Sequence, residues 1–136
     1  IFALDGLRFL HIHPGWLPAV RGADGLLWSL MTRGKPGASC FYMEPGLDVG
    51  DVVARREFSD LRFDIPGDRP DDQTLYRALF SYIDPMLRAA VLMDDVLTAG
   101  DDLSNLPATA QDLDLGVTYH FLEPDLRSVA LRDLFA

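Results

Sequence analysis

The stretch RFLHIHPGWLPAVRGADGLLWSLMTRGKPGASCFYMEPGLDVG, Arg8 to Gly50, decides the reading of this chain. It opens on a nearly continuous apolar run, Arg8–Ile12, of the length and composition expected of a strand buried on both faces of a parallel sheet. Pro14, Gly15 and Pro18 exclude both helix and central strand beyond it. His13 therefore falls at the C-terminal lip of the strand, where open α/β sheets place their ligands. Asp24 is positioned to cap a helix to about Arg33, with Leu26, Leu27 and Leu30 on its buried face and Gly34 as its stop signal. Gly37–Met43 reads as a second strand. Pro45 and Gly46 then bend the chain and present Asp48 between Gly46 and Gly50.

Working outward, Ile1–Leu7 is a short apolar piece ending in the turn pair Asp5-Gly6, read as the tail of a helix feeding the strand. Asp51–Phe58 is a strand whose alternation suggests a place near a sheet edge, and Ser59–Asp71 is a surface loop. A helical pattern starts at Asp72 with Leu75, Leu79, Tyr82 and Ile83 on one face. Pro85 predicts a kink or a break near Ile83-Asp84, before a second segment ends about Thr98. An Asp/Asn/Pro linker, Asp101–Asp114, leads to a strand-like run, Val117–Leu122, and an amphipathic helix from about Pro124. Across this strand and helix, Tyr119, Phe121, Leu126, Leu131 and Phe135 form an apolar face, expected to pack on the body rather than form a dimer surface.

Composition bounds the function. At 136 residues the chain suits one domain with an ordinary core, and its net charge of −9 argues against a nucleic-acid partner. No apolar run is long enough for a bilayer and no signal-peptide pattern is visible, so a soluble, cytoplasmic protein is expected. Cys40 has no partner for an internal disulfide, and its apolar neighbours make it a buried small residue. The chain begins at Ile1 within an apolar segment, which reads as the start of an internal fragment.

His11 and His13, two apart on a strand, point to one face. Two chemistries use them. With Asp48 they could supply three ligands to a divalent ion, although no H-x-x-E-H or C-x-x-C spacing supports a ligand set. In acyl transfer, the imidazole of His13 takes the proton of an attacking amine while the Asp48 carboxylate raises its basicity and fixes its tautomer.

His13-Pro14, Leu17-Pro18, Arg21-Gly22, Gly34, Gly37 and Asp48-Val49-Gly50 occur in the order and spacing of a known signature. The segment resembles the folate-dependent formyltransferases, which include methionyl-tRNA, glycinamide ribonucleotide and sugar-nucleotide formyltransferases. The resemblance implies an α/β fold with a partial, open, mostly parallel sheet and flanking helices, a Rossmann-like formyltransferase domain lacking its N-terminal half. It places the C-terminal half of the catalytic domain at 1–100, and a linker plus strand-helix extension at 101–136. It further implies that His13 is the catalytic histidine and Asp48 its partner. Glu44, Pro45, Gly46 and Leu47 would contact the pterin of 10-formyltetrahydrofolate, the formyl donor, with Arg21 and Gly22 flanking a small amine acceptor such as an amino sugar. No metal is expected. His11 stands where the family has an oxyanion-holding asparagine; imidazole can also donate a hydrogen bond, and His11 is counted with the catalytic residues. Hydrolysis of the same cofactor, a metal-dependent hydrolase and a catalytically silent member are the alternatives. Pairing with a second copy or with an N-terminal half would cover the exposed sheet edge.

Overall fold

The computed structural model describes residues 5–135. Strand β1 (Leu10–His13) is followed by the short strand β2 (Val20–Gly22), helix α1 (Gly25–Arg33) and strands β3 (Gly37–Tyr42) and β4 (Val52–Glu57). A long helical run then comprises α2 (Asp72–Ala78), a π-helical turn (Leu79–Ile83), α3 (Asp84–Val91) and a second π-helical turn (Leu92–Val96). The chain ends in a 3₁₀ turn (Leu113–Leu115), strand β5 (Val117–Tyr119) and helix α4 (Pro124–Leu134).

The expected α/β class with flanking helices is what the structure shows, but strand direction departs from the expectation. The main sheet has the order β1-β3-β4, and both of its pairings are antiparallel. Only β2 and β5 pair in parallel, in a separate two-stranded sheet. An apolar run does not encode direction: it fits any strand covered on both faces. The connection from β3 to β4 is a loop without a helix, too short for a parallel crossover, so the two strands must run against each other.

The antiparallel register sets His13 opposite Ser39 and His11 opposite Phe41. Those four side chains share one face. On the other face Leu10 and Ile12 pack with Cys40 and Tyr42 against Val91, Val96 and Leu106. A register shift at Cys40/Phe41 pairs Phe41 with Val52 and leaves Val53 as the extra residue, a bulge beside the histidine face. Strand β1 extends through His13 and starts at Leu10, two residues later than the apolar run. The turn at Asp5-Gly6 is present, whereas Ile1–Leu4 lie outside the described residues.

Two local expectations need correction. Asp24 does not cap α1: it takes a left-handed conformation (φ 51°) and makes no capping bond. Its buried carboxylate instead accepts from Tyr76 Oη at 2.7 Å and from the Leu122 N–H at 2.8 Å, tying α1 to α2 and to the C-terminal segment. Tyr82 is 74% exposed, while Leu75, Leu79 and Ile83 are buried as expected. The π-helical turn at Leu79–Ile83 lies just ahead of Pro85 and widens the helix where proline supplies no N–H, so Pro85 enters the first turn of α3 without breaking the run. Gly34 ends α1 as expected, left-handed at φ 74° with its N–H on the Leu30 carbonyl.

The segment after residue 100 is attached to the body at several points. β5 pairs with β2, and Leu122, Ala130, Leu131, Leu134 and Phe135 join Leu26, Leu27, Leu75 and Leu79 in one core cluster. The strand is shorter than expected, ending at Tyr119. Of the apolar face, Leu131 and Phe135 are buried and Tyr119 stacks on Trp28, but Phe121 and Leu126 are exposed. Leu126 faces solvent because only one side of α4 meets α1 and α2; Phe121 lies ahead of the helix. Leu131 is fully buried, so its truncation to Ala would cost about 2–5 kcal/mol.

Candidate functional site

His13 ends β1 under the loop Pro14–Gly22, and the loop is fixed from below by two buried serines. The Ser39 hydroxyl donates to the Gly15 carbonyl at 2.7 Å and accepts from the Leu17 N–H at 3.0 Å. Ser29 Oγ accepts from the Trp16 N–H at 3.1 Å. Both hydroxyls are buried, so each hydrogen bond protects a backbone group that would otherwise be costly to desolvate. Glycine is needed above the imidazole. A Cβ at Gly15 would come within 2.5 Å of His13 Nε2, and one at Gly25 within 2.9 Å of the same atom and 2.4 Å of the Pro14 carbonyl oxygen.

His13 is 2% exposed. Its Nε2 lies 3.1 Å from the Val20 carbonyl, an acceptor only, so Nε2 carries a proton and donates. In the neutral ring that leaves Nδ1 bare, 3.5 Å from Asp48 Oδ2. Burial pushes the His13 pKa below the ordinary histidine value, and Asp48 and the Val20 carbonyl oppose that shift without cancelling it. The shift favours the neutral imidazole, in which Nδ1 is the nitrogen that can take a proton.

Asp48 reaches the site from the β3–β4 loop. It is left-handed (φ 54°), unusual for a non-glycine residue, and several contacts hold it there. The Gly22 N–H donates to Oδ2 at 2.7 Å. Gln111 Nε2 donates to the carbonyls of Asp48 at 3.1 Å and Gly50 at 2.7 Å. Gly50 itself (φ 116°) could carry no side chain, since a Cβ would lie 1.9 Å from the Tyr42 carbonyl oxygen.

His11 occupies the same face of β1 two residues earlier. Its ring meets Phe41 edge-on, with centroids 5.6 Å apart. Burial is the main cause lowering its pKa, against the field of Asp48. A shallow cavity of about 350 Å³ opens at His11, between β1 and the α3 residues Pro85 and Arg88. Asp84 nearby is buried; its Oδ2 accepts from Arg88 at 2.8 Å and burial raises its pKa.

The sequence-predicted residues are thus divided. His11, His13 and Asp48 converge, with ligand-capable atoms all within 4.8 Å of one another. Glu44, Pro45, Gly46 and Leu47 form an exposed rim next to them, and Glu44 and Pro45 border a cavity of about 320 Å³ shared with Gln111. Gly22 acts through its N–H on Asp48. Arg21 turns its guanidinium to the protein's own carbonyls at Pro18, Leu113 and Gly116, and its Nε to Thr118 Oγ1. It braces the loop against the C-terminal segment. Reading the sequence missed Gly25, Ser39 and Gln111. Gly25 and Ser39 stand inside elements that were read only for secondary structure, and Gln111 sits in a stretch read as linker.

Comparison with known proteins gives the class. No family model matches the chain. In sequence it is 37% identical over 52 residues to methionyl-tRNA formyltransferase of Syntrophus aciditrophicus, covering 38% of this chain and 17% of that protein. It is 40% identical over 72 residues to human cytosolic 10-formyltetrahydrofolate dehydrogenase, covering 50% of this chain and 7% of that protein. Against dTDP-4-amino-4,6-dideoxyglucose formyltransferase of Mycobacterium tuberculosis it is 26% identical over 113 residues, 82% of this chain and 44% of the other. In structure, a sugar N-formyltransferase from a Shewanella species superposes with a TM-score of 0.55 at 15% identity, covering 93% of this chain and 51% of that one. Methionyl-tRNA formyltransferase from Clostridium thermocellum gives 0.52 at 16% identity, covering 95% and 53%. The fold is therefore a formyltransferase fold, and in sequence the chain is similar to formyltransferases. It spans less than half the length of these curated relatives.

Proposed function

We propose that this chain carries the acyl-transfer centre of an enzyme that moves a formyl group from 10-formyltetrahydrofolate to an amine of a small acceptor, an amino sugar or similar. The observation that carries the reading is the oriented pair at the end of β1: His13 with Nε2 committed to the Val20 carbonyl and Nδ1 facing Asp48 at 3.5 Å. The sequence similarity to formyltransferases and to a 10-formyltetrahydrofolate dehydrogenase supports the choice of group transferred and of donor.

The chemistry follows from those atoms. The acceptor amine attacks the formyl carbon, and its nitrogen loses a proton to His13 Nδ1. Asp48 stabilises the imidazolium so formed. The carbonyl oxygen becomes an oxyanion, to which an N–H of His11 donates from the same strand face. Collapse of the tetrahedral intermediate expels N10 of the folate, which takes the proton back from His13, leaving the N-formylated acceptor and tetrahydrofolate. Glu44, Pro45, Gly46 and Leu47 would form the pterin-side rim, and Arg21 and Gly22 the acceptor-side wall. The −9 net charge disfavours a polyanionic acceptor.

Incubation of the intact protein with 10-formyltetrahydrofolate and a panel of amino sugars, with both products quantified, tests the reading. Formamide product in step with tetrahydrofolate is expected. Free formate released at the same rate with or without an amine would mean hydrolysis instead.

A further inference from the structure

The hydrogen bond from His13 Nε2 to the Val20 carbonyl turns Nδ1 to the side of Asp48. With Nε2–H held by the Val20 carbonyl, Nδ1 lies 3.5 Å from an Asp48 carboxylate oxygen. Atoms so placed can share a bound cation. A third donor, His11, lies on the same face, and the donor atoms of all three residues fall within 4.8 Å of one another.

We infer that His11, His13 and Asp48 form a binding site for one first-row divalent transition-metal ion of the zinc class. Two imidazoles and a carboxylate are the ligand chemistry of zinc and its neighbours, and nitrogen-rich sites disfavour magnesium and calcium. Tetrahedral ligands at about 2.0–2.1 Å from zinc stand about 3.3 Å from each other, close to the His13–Asp48 separation. His11 is only half-buried, and a side-chain rotation would have to close the remaining distance from within 4.8 Å. Two of the three ligands already have the outer hydrogen bonds that metal sites use to orient them: His13 through Val20 and Asp48 through the Gly22 N–H. The asparagine that the resemblance implies at position 11 would leave only one imidazole and one carboxylate. The metal and the transferred proton would occupy the same Nδ1, so the ion is an inhibitor of formyl transfer and not its cofactor.

Titration of the chelator-stripped intact protein with Co²⁺ tests the site without any substrate. A visible absorption band that saturates at one equivalent and is abolished by Zn²⁺ is expected. His11→Asn is expected to weaken binding by at least about a hundredfold, since loss of an outer hydrogen-bond partner alone costs about 10–100-fold. Cys40→Ser is expected to bind as the parent does, because Cys40 is buried with its thiol pKa pushed up to about 11. Thermal melts in chelator establish that each variant folds, and excess Zn²⁺ should raise the melting temperature of the parent and not of His11→Asn. Absence of a saturable one-equivalent band, or equal affinity in His11→Asn, overturns the inference. A thiolate-to-cobalt charge-transfer band does so too. Because the readout is metal binding alone, failure of the formyl-transfer reading would leave this result standing.

Discussion

The two ends of strand β1 carry the same side chain on the same face, and the protein treats them in opposite ways. At the C-terminal end His13 is closed over by Gly15 and Gly25, bonded to Val20 and 2% exposed. At the other His11 is half-buried, touches Phe41 edge-on and looks into an open cavity beside Arg88. Strand geometry makes the two equivalent; the loop and α1, which roof one and not the other, hold the proposed proton acceptor fixed and leave the proposed donor or ligand adjustable. A site that must both hold a base rigidly and admit a substrate benefits from that asymmetry.

The comparison can be broken most forcefully at the fixed end. His13→Ala removes the base and should lower formyl transfer by about 10²–10⁴-fold, read as kcat/KM with metal chelated. Gly25→Ala leaves every catalytic group in place but drives a methyl to 2.9 Å from His13 Nε2 and 2.4 Å from a backbone oxygen. The clash should destabilise the fold by about 1–3 kcal/mol in denaturant melts and lower kcat in the fraction that remains folded. Gln111→Ala releases the loop that presents Asp48, with a loss of about 1 kcal/mol in stability and a fall in kcat smaller than that of either glycine or histidine change.

The finest test uses pH. His13 must be neutral to accept a proton, and its pKa is lowered by burial, so kcat/KM should rise through an acid limb below the ordinary histidine value of 6.5. Asp48 opposes that lowering, so Asp48→Asn should move the limb to still lower pH as well as slowing the reaction. Stability carries the same sign. Both histidines have lowered pKa values in the fold, so below about 6.5 the unfolded chain binds more protons. Their contribution is complete above that pH and is lost as the pH falls toward the folded values.

The pair at the centre of the site was legible because short-range signals locate it. Pro14 and Gly15 stop the strand at His13 whatever surrounds it, and Gly46 with Gly50 mark the turn that carries Asp48. The strand directions in the main sheet were not legible, since an apolar run such as that of β1 fits a parallel or an antiparallel neighbour equally well. Asp24 illustrates a different failure. Its position promised a helix cap, but its carboxylate found better donors in Tyr76 and in the Leu122 N–H, residues 52 and 98 positions away. Tyr82 has the helical spacing of a core residue and is exposed, because the π-helical turn ahead of Pro85 shifts the phase of the helix just there.

By itself the sequence determined the α/β class, the histidine pair and its shared face, the aspartate turn and the likeness to formyltransferases, because each depends on periodicity, on proline and glycine, or on motif order along the chain. Tertiary structure alone decided which nitrogen of His13 is free, why glycine is required at Gly15 and Gly25, and that Gln111 holds the Asp48 loop from the far end of the chain. Those are contacts between residues distant in sequence, and their geometry exists only once the loop, the helix and the sheet have packed together.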